Sequence, residues 1–167
     1  MSRQLDYRST SSHPADEVYA AMVDPDYLRA RLAEIGGPGA DLLEHHADAD
    51  GARYVVRHGL DAKDLPSVVR SMLPGTLVIE RTESWRRQQA GGYTGDVTVS
   101  IEGTPASAVG GMRLQDIDGG SEFAVRATVT VNVPLIGGKI ESVVAEQVQN
   151  LLAAESAYTE KWLNQAL

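Results

Sequence analysis

Phe123-Ala124-Val125-Arg126-Ala127-Thr128-Val129-Thr130-Val131-Asn132-Val133, running into Pro134-Leu135-Ile136-Gly137-Gly138, is the stretch that decides the fold. Phe123, Val125, Ala127, Val129, Val131 and Val133 fall on every second position, the period of a half-buried strand. Past the two glycines the period changes. From Lys139 to near Leu167 the residues Ile140, Val144, Gln147, Val148, Leu151, Tyr158 and Trp162 fall on one helical stripe. Ser142, Glu146, Gln149 and Glu160 lie away from it. One amphipathic strand feeding one long terminal helix, after a run of other strands, predicts a curved sheet wrapped around a helix. Such an arrangement encloses a cavity, and cavities are where ligands bind.

Working back from this stretch, strand-like runs recur at 76–86, 92–102, 106–116 and 121–133. The clearest is 92–102, where Tyr93, Val97, Val99 and Ile101 alternate with Thr94, Asp96, Thr98 and Ser100. Two more strands, 40–48 and 52–60, flank Asp48-Ala49-Asp50-Gly51, and Asp-Gly is a strong hairpin signal. Residues 3–11, with Leu5 and Tyr7 on one side, read as a first strand at a sheet edge. Pro14-Ala15-Asp16-Glu17 opens a short helix to Val23, with Ser12 or His13 near its N-cap. Asp24-Pro25 breaks it, and Asp24 caps a second helix carrying Leu28, Leu32 and Ile35 up to Gly36-Gly37. Residues 61–73, bounded by Pro66 and Pro74, read as a short helix or lid. The expected class is α+β, with helices on one side of an antiparallel sheet.

No linker or repeat divides the chain, so residues 1–167 are expected to form a single domain. Cysteine is absent, which excludes disulfides, thiolate metal sites and thiol nucleophiles. A formal net charge of -8 repels phosphate backbones and anionic membranes, so nucleic acid is not an expected partner. One phenylalanine and two tryptophans are also too few for base stacking. The start of the chain lacks an apolar signal core, and no run approaches the ~20 residues of a transmembrane helix. The expected location is the cytoplasm.

The order strand, two short helices, six strands, long helix resembles the helix-grip fold of the START-like (SRPBCC) superfamily, the birch-pollen-allergen and polyketide-cyclase type. Pro14-Ala15-Asp16-Glu17-Val18-Tyr19 and Asp24-Pro25-Asp26-Tyr27 resemble its opening helices. Arg81-Thr82-Glu83-Ser84-Trp85 and Val133-Pro134-Leu135-Ile136-Gly137-Gly138-Lys139-Ile140-Glu141 resemble an uncharacterised bacterial branch, a family of unknown function. The resemblance covers essentially the whole chain. It implies a curved antiparallel sheet of about seven strands around the C-terminal helix, with a hydrophobic cavity between them. Superfamily members commonly bind lipids, sterols or polyketides there, and some catalyse reactions.

The chemical motifs are mostly bland. His46-Ala47-Asp48-Ala49-Asp50-Gly51 has His46 and Arg57 where a calcium loop needs an acid and a glutamate, so it reads as a turn. Asp116-Ile117-Asp118-Gly119 fails similarly. Gly137-Gly138-Lys139-Ile140 lacks the upstream glycine and the following hydroxyl of a phosphate loop. Lys139 at a helix start gives only a weak hint of an anionic ligand. His45 and His46 point to opposite strand faces and cannot share a metal. Arg81, Glu83, Arg86 and Arg87 read as solvated, Trp85 as packing and Arg126 as outward-facing. No nucleophile elbow is present, and no metal or cofactor is expected.

The first functional reading is a protein that binds a small hydrophobic or amphipathic molecule. Expected wall residues are Leu28, Leu32, Leu65, Val69, Met72, Val97, Val99, Met112, Val129, Gln147 and Leu151, with 61–73 as a gate. Ala106, Ser107, Ala108, Gly110 and Gly111 leave space under the helix. Gln147, a polar group within the apolar stripe, either orients a ligand or bonds to a neighbouring strand. The second reading is a cyclase or hydrolase in the same cavity, with His58, Glu80, Arg126 and Tyr54 as the available titratable groups. The third is an interaction module such as a homodimer, using sheet edges or the Tyr158–Trp162 end of the helix.

Overall fold

The computed structural model describes residues 2–61, 63, 65, 67–71 and 75–165, with Val68 and Val69 described by their backbone alone. The elements are β1 (Ser2–Ser11), α1 (Ala15–Met22), α2 (Pro25–Ile35), β2 (Asp41–Ala47), β3 (Gly51–Asp61), α3 (Ser67–Arg70), β4 (Thr76–Arg87), β5 (Tyr93–Ile101), β6 (Ala106–Ile117), β7 (Gly120–Val131) and α4 (Gly137–Gln165). The strands form one antiparallel sheet in the order β1-β7-β6-β5-β4-β3-β2. Consecutive hairpins build six of the strands. β1 then closes onto β7, so the first and last strands lie side by side and β1 is an edge, as its weak alternation implies.

The helix starts follow from local chemistry. The Asp24 side chain accepts from the backbone N–H of Asp26 and Tyr27, and Pro25 occupies the first turn of α2. At α1 the N-cap is Pro14, with no side-chain cap of its own. Asp116, at the end of β6 beside the β6–β7 turn, supplies the missing acceptor: its Oδ1 takes the Ala15 N–H at 2.8 Å. The turn and the helix are thereby tied together.

α4 packs chiefly on β1 and β7 and touches α1 and α2. The main core gathers Tyr27, Leu28 and Leu32 of α2, Tyr54 and Val56 of β3, Trp85 of β4 and Val125 and Val129 of β7. A second, smaller cluster of Leu65, Leu77, Val131 and Ile140 closes the other end. Val144 of α4 packs against both.

The joint between β7 and α4 is held by Glu141, which is 2% exposed and accepts the Val131 N–H at 2.9 Å. Gly137 is needed there because a Cβ would lie 2.6 Å from the Val131 carbonyl oxygen. A second close approach sits where the α2–β2 loop crosses β3. Gly37, at φ +79°, would place a Cβ 1.9 Å from the Gly59 carbonyl oxygen. The Gly59 N–H in turn donates to the Gly36 carbonyl at 2.9 Å.

Arg81 and Glu83 depart from the solvated positions expected of them: each is 6% exposed. They share strand parity with Trp85, so they point inward, whereas Thr82 and Ser84 point away. Arg86 is exposed as expected, paired with Asp96 at 2.9 Å. Arg126 also faces out and pairs with Asp6 at 2.9 Å. Tyr158 and Trp162 pack on Tyr27 of α2, tilted and edge-on respectively, with ring centroids 5.8 and 5.5 Å away.

Candidate functional site

Between the sheet and α4, separating the two apolar clusters, lies a cavity of about 440 Å³. Its walls come from the inward faces of β3 to β7, from Leu5 of β1 and from the underside of α4. The small side chains of Ala106, Ala108 and Ala127 leave room that a leucine or phenylalanine would fill. Gly110 has a different role, since a Cβ there would come 2.5 Å from the Arg126 carbonyl oxygen.

Of the expected wall residues, Leu65, Val97, Val99, Val129, Gln147 and Leu151 line this cavity. Leu28 and Leu32 do not: they are 0% and 3% exposed within the main core. Met112 lines a smaller void of about 60 Å³ that meets the first at Arg81, Val97, Val125 and Leu152. The Val69 side chain and Met72 lie outside the described residues, as does part of the expected gate.

A buried polar network, of which the expected set held only Tyr54, lies along the smaller void and reaches the larger one through Arg81. Arg81 Nη2 donates to Glu155 Oε2 at 2.7 Å, and Arg81 Nε lies 3.1 Å from Glu83 Oε2. Arg31 Nη2, from α2, lies 3.5 Å from the same Glu155 oxygen. Tyr54 donates its hydroxyl to Glu83 at 3.1 Å and accepts the Trp85 indole N–H at 3.3 Å. Burial alone would raise the Glu155 carboxyl, but the Arg31 and Arg81 guanidiniums overcome it and hold it at about 2. Burial, reinforced by the Glu83 carboxylate, keeps the Tyr54 hydroxyl well above its ordinary range.

His58 lies one inward position beyond Val56 on β3, next to this network, and is 5% exposed. Burial, with Arg81 adding to it, pushes the imidazole down to about 3, so the ring is neutral at ordinary pH. Its Nε2 is sealed from solvent and has no hydrogen-bond partner among the described residues. Gln147 reaches the cavity from the opposite wall, and no hydrogen bond joins its amide to another described residue. Glu80 and Arg126 are exposed and outside this cavity.

Among the described residues no group of three or more histidines, aspartates or glutamates is placed to hold a metal ion. His45 bonds to the Val23 carbonyl at 2.6 Å, while His46 pairs with Asp48 at 3.4 Å in its turn. No described helix is long and apolar enough to cross a membrane.

A seven-stranded antiparallel sheet curved around a long C-terminal helix, with two short helices after β1, is the helix-grip fold. The chain belongs to the family described as protein of unknown function (DUF2505), whose profile matches residues 6–163. An uncharacterised protein of Mycobacterium tuberculosis is 29% identical over 170 residues, covering 98% of each chain. Among solved structures, Ara h 8.0201 superposes with a TM-score of 0.61 at 17% identity, covering 99% of both chains. A START superfamily protein from Mycobacterium smegmatis gives 0.58 at 10% identity, covering 98% of this chain and 99% of that one. At these identities the structures share a fold with this chain.

Proposed function

We propose that the protein binds a small hydrophobic or amphipathic molecule, of lipid, sterol or polyketide type, in the cavity between the sheet and α4. The observation that carries this reading is the cavity itself: about 440 Å³ of space lined mainly by valine, leucine, isoleucine and alanine. That volume lies in the range of small-molecule sites. A solid core would have used it to bury apolar surface at roughly 25 cal/mol per Å². Leaving it open forgoes stability, which makes sense where an occupant replaces the missing contacts.

Catalysis in the same cavity is the competing reading, and it draws on His58, Tyr54 and the buried ion pairs. Their ionisation argues for binding instead. A general acid or base works best with a pKa near the working pH. Here His58 is held far below that range, Glu155 lower still and Tyr54 far above it. Glu155, Glu83 and Arg81 are moreover occupied with one another.

The test is native mass spectrometry of protein purified from its own host, followed by organic extraction. A co-purifying apolar mass is the expected result. A protein that arrives empty and binds none of a panel of apolar fluorophores overturns the reading and favours an interaction module.

A further inference from the structure

The larger cavity carries an unusual set of polar groups. Arg81 is the sole charged side chain among the described residues lining it. Its guanidinium is already engaged by Glu155 at 2.7 Å and Glu83 at 3.1 Å. A ligand carboxylate brought to this end would be a third acid beside Arg31 and Arg81, whose charges Glu83 and Glu155 already balance, and it would give up its hydration to enter apolar walls. A ligand ammonium fares no better, because neither carboxyl group lines the larger cavity. His58 and Gln147 line the cavity uncharged and without a side-chain hydrogen bond to another described residue. The neutral His58 ring offers one donor and one acceptor nitrogen according to tautomer, and Gln147 offers an amide with both functions.

His58 Nε2 makes the case specific. A buried ring nitrogen without a partner is an unmet desolvation cost, and such groups in native proteins call for an explanation. The neighbouring ion pairs do not supply one. They use Arg31, Arg81, Glu83 and Glu155 among themselves, and Arg31 Nε, Arg31 Nη2 and Arg81 Nε are themselves buried without a well-formed hydrogen bond.

We propose that the cavity selects uncharged amphipaths, with an alcohol, ketone or amide head placed at the His58 end and its apolar body along β5 to β7 and α4, and that it discriminates against free carboxylates. This rests on the ligand-binding reading above. His58 supplies the hydrogen bond that the head group completes, and Gln147 faces the head or the first carbons from the helix side.

The experiment is displacement of the apolar fluorophore N-phenyl-1-naphthylamine at pH 8 by dodecan-1-ol and by dodecanoate, two ligands with the same chain and different heads. Dodecan-1-ol is expected to bind at least about tenfold more tightly than dodecanoate. His58→Leu is expected to weaken the alcohol by about tenfold while leaving the fluorophore bound, which also shows that the variant is folded; His58→Gln keeps most of the alcohol affinity. Dodecanoate binding as well as the alcohol overturns the head-group inference and leaves the cavity reading standing. A His58→Leu protein with unchanged alcohol affinity removes His58 from the site and overturns the inference likewise. If neither the fluorophore nor either amphipath binds the wild-type protein, the ligand-binding reading fails and this inference fails with it.

Discussion

Arg81, in the middle of β4, donates to Glu155 on the underside of α4 at 2.7 Å, and both side chains are sealed from solvent. Sheet and terminal helix are therefore joined by a buried charge pair beside a cavity rather than by apolar packing alone. Arg31 of α2 approaches the same carboxylate at 3.5 Å, so one acid serves two cations from two different elements. Glu155→Gln should accordingly destabilise the fold by about 3–5 kcal/mol, because it takes the counter-ion from the buried Arg31 guanidinium and leaves Arg81 with Glu83 alone. Urea unfolding followed by circular dichroism measures this directly. A loss below about 1 kcal/mol, the scale of an exposed pair, would contradict the buried network.

Stability should depend on pH through His58 first. Its folded-state pKa of about 3 lies below the unfolded value of 6.5. Between those values the unfolded chain binds the proton and the folded one does not, so stability falls as the pH drops. The loss begins near 6.5 and amounts to up to about 5 kcal/mol at full titration. Glu155, held at about 2 against an ordinary 4.5, adds a second loss below about 4.5 with the same sign. His58→Gln should flatten the stability profile between pH 6.5 and 4.5 and leave the lower limb. A variant whose profile matches the wild type there would refute the assignment.

Filling the cavity separates packing from function. Ala108 lines it from β6, between Val99 and Val129 on the neighbouring strands. In a closed core Ala108→Phe would cost about 1–3 kcal/mol through overpacking. Here the ring has space to enter, so unfolding should shift by less than about 1 kcal/mol while fluorophore binding is lost. A strongly destabilised variant would mean that the space is not available to a side chain.

The crossing of the α2–β2 loop over β3 gives a backbone test. Gly37→Ala meets both a positive φ and a Cβ position 1.9 Å from the Gly59 carbonyl oxygen. The left-handed conformation alone costs roughly 1–2 kcal/mol, and the steric conflict adds to it. Gly39→Ala, at φ +74° with nothing within 4 Å, should show the conformational cost alone. Equal losses for the two variants, read from thermal unfolding, would contradict the close crossing.

The elements were legible in the sequence because their periods are strong. Alternation in β5 and β7, the Asp24 cap and the change of period at Gly137-Gly138 each point to the observed element, although the two glycines lie in the first turn of α4 and not before it. Leu28 and Leu32 illustrate the limit. Helical spacing aims them inward, but it cannot say whether the inward side holds core or cavity, and they lie in the core. The charged network was less legible still. Arg81, Glu83 and Glu155 look like solvent-facing residues until strand parity and a partner distant in sequence are known. Arg31 was invisible for the same reason: its counter-ion comes from α4. The available signal was the parity of Arg81 and Glu83 with Trp85, which a reading of charge alone overrides.

Glu141 supports the joint on which the sequence argument began. Its Oε2 accepts the Val131 N–H at 2.9 Å, where β7 ends and the chain turns towards α4. Removing that acceptor leaves a buried backbone donor unpaired, at a cost of about 1–3 kcal/mol. Glu141→Gln keeps a carbonyl oxygen in reach and should recover much of the loss, whereas Glu141→Leu should not. The second readout is local. The Val131 amide hydrogen should exchange slowly in the wild type and faster in Glu141→Leu, ahead of the amides at the centre of β7. Because Val131 and Ile140 help close the end of the cavity, the same variant should also release a bound fluorophore faster. Unchanged exchange at Val131 would show that the carboxylate does not hold the end of the strand.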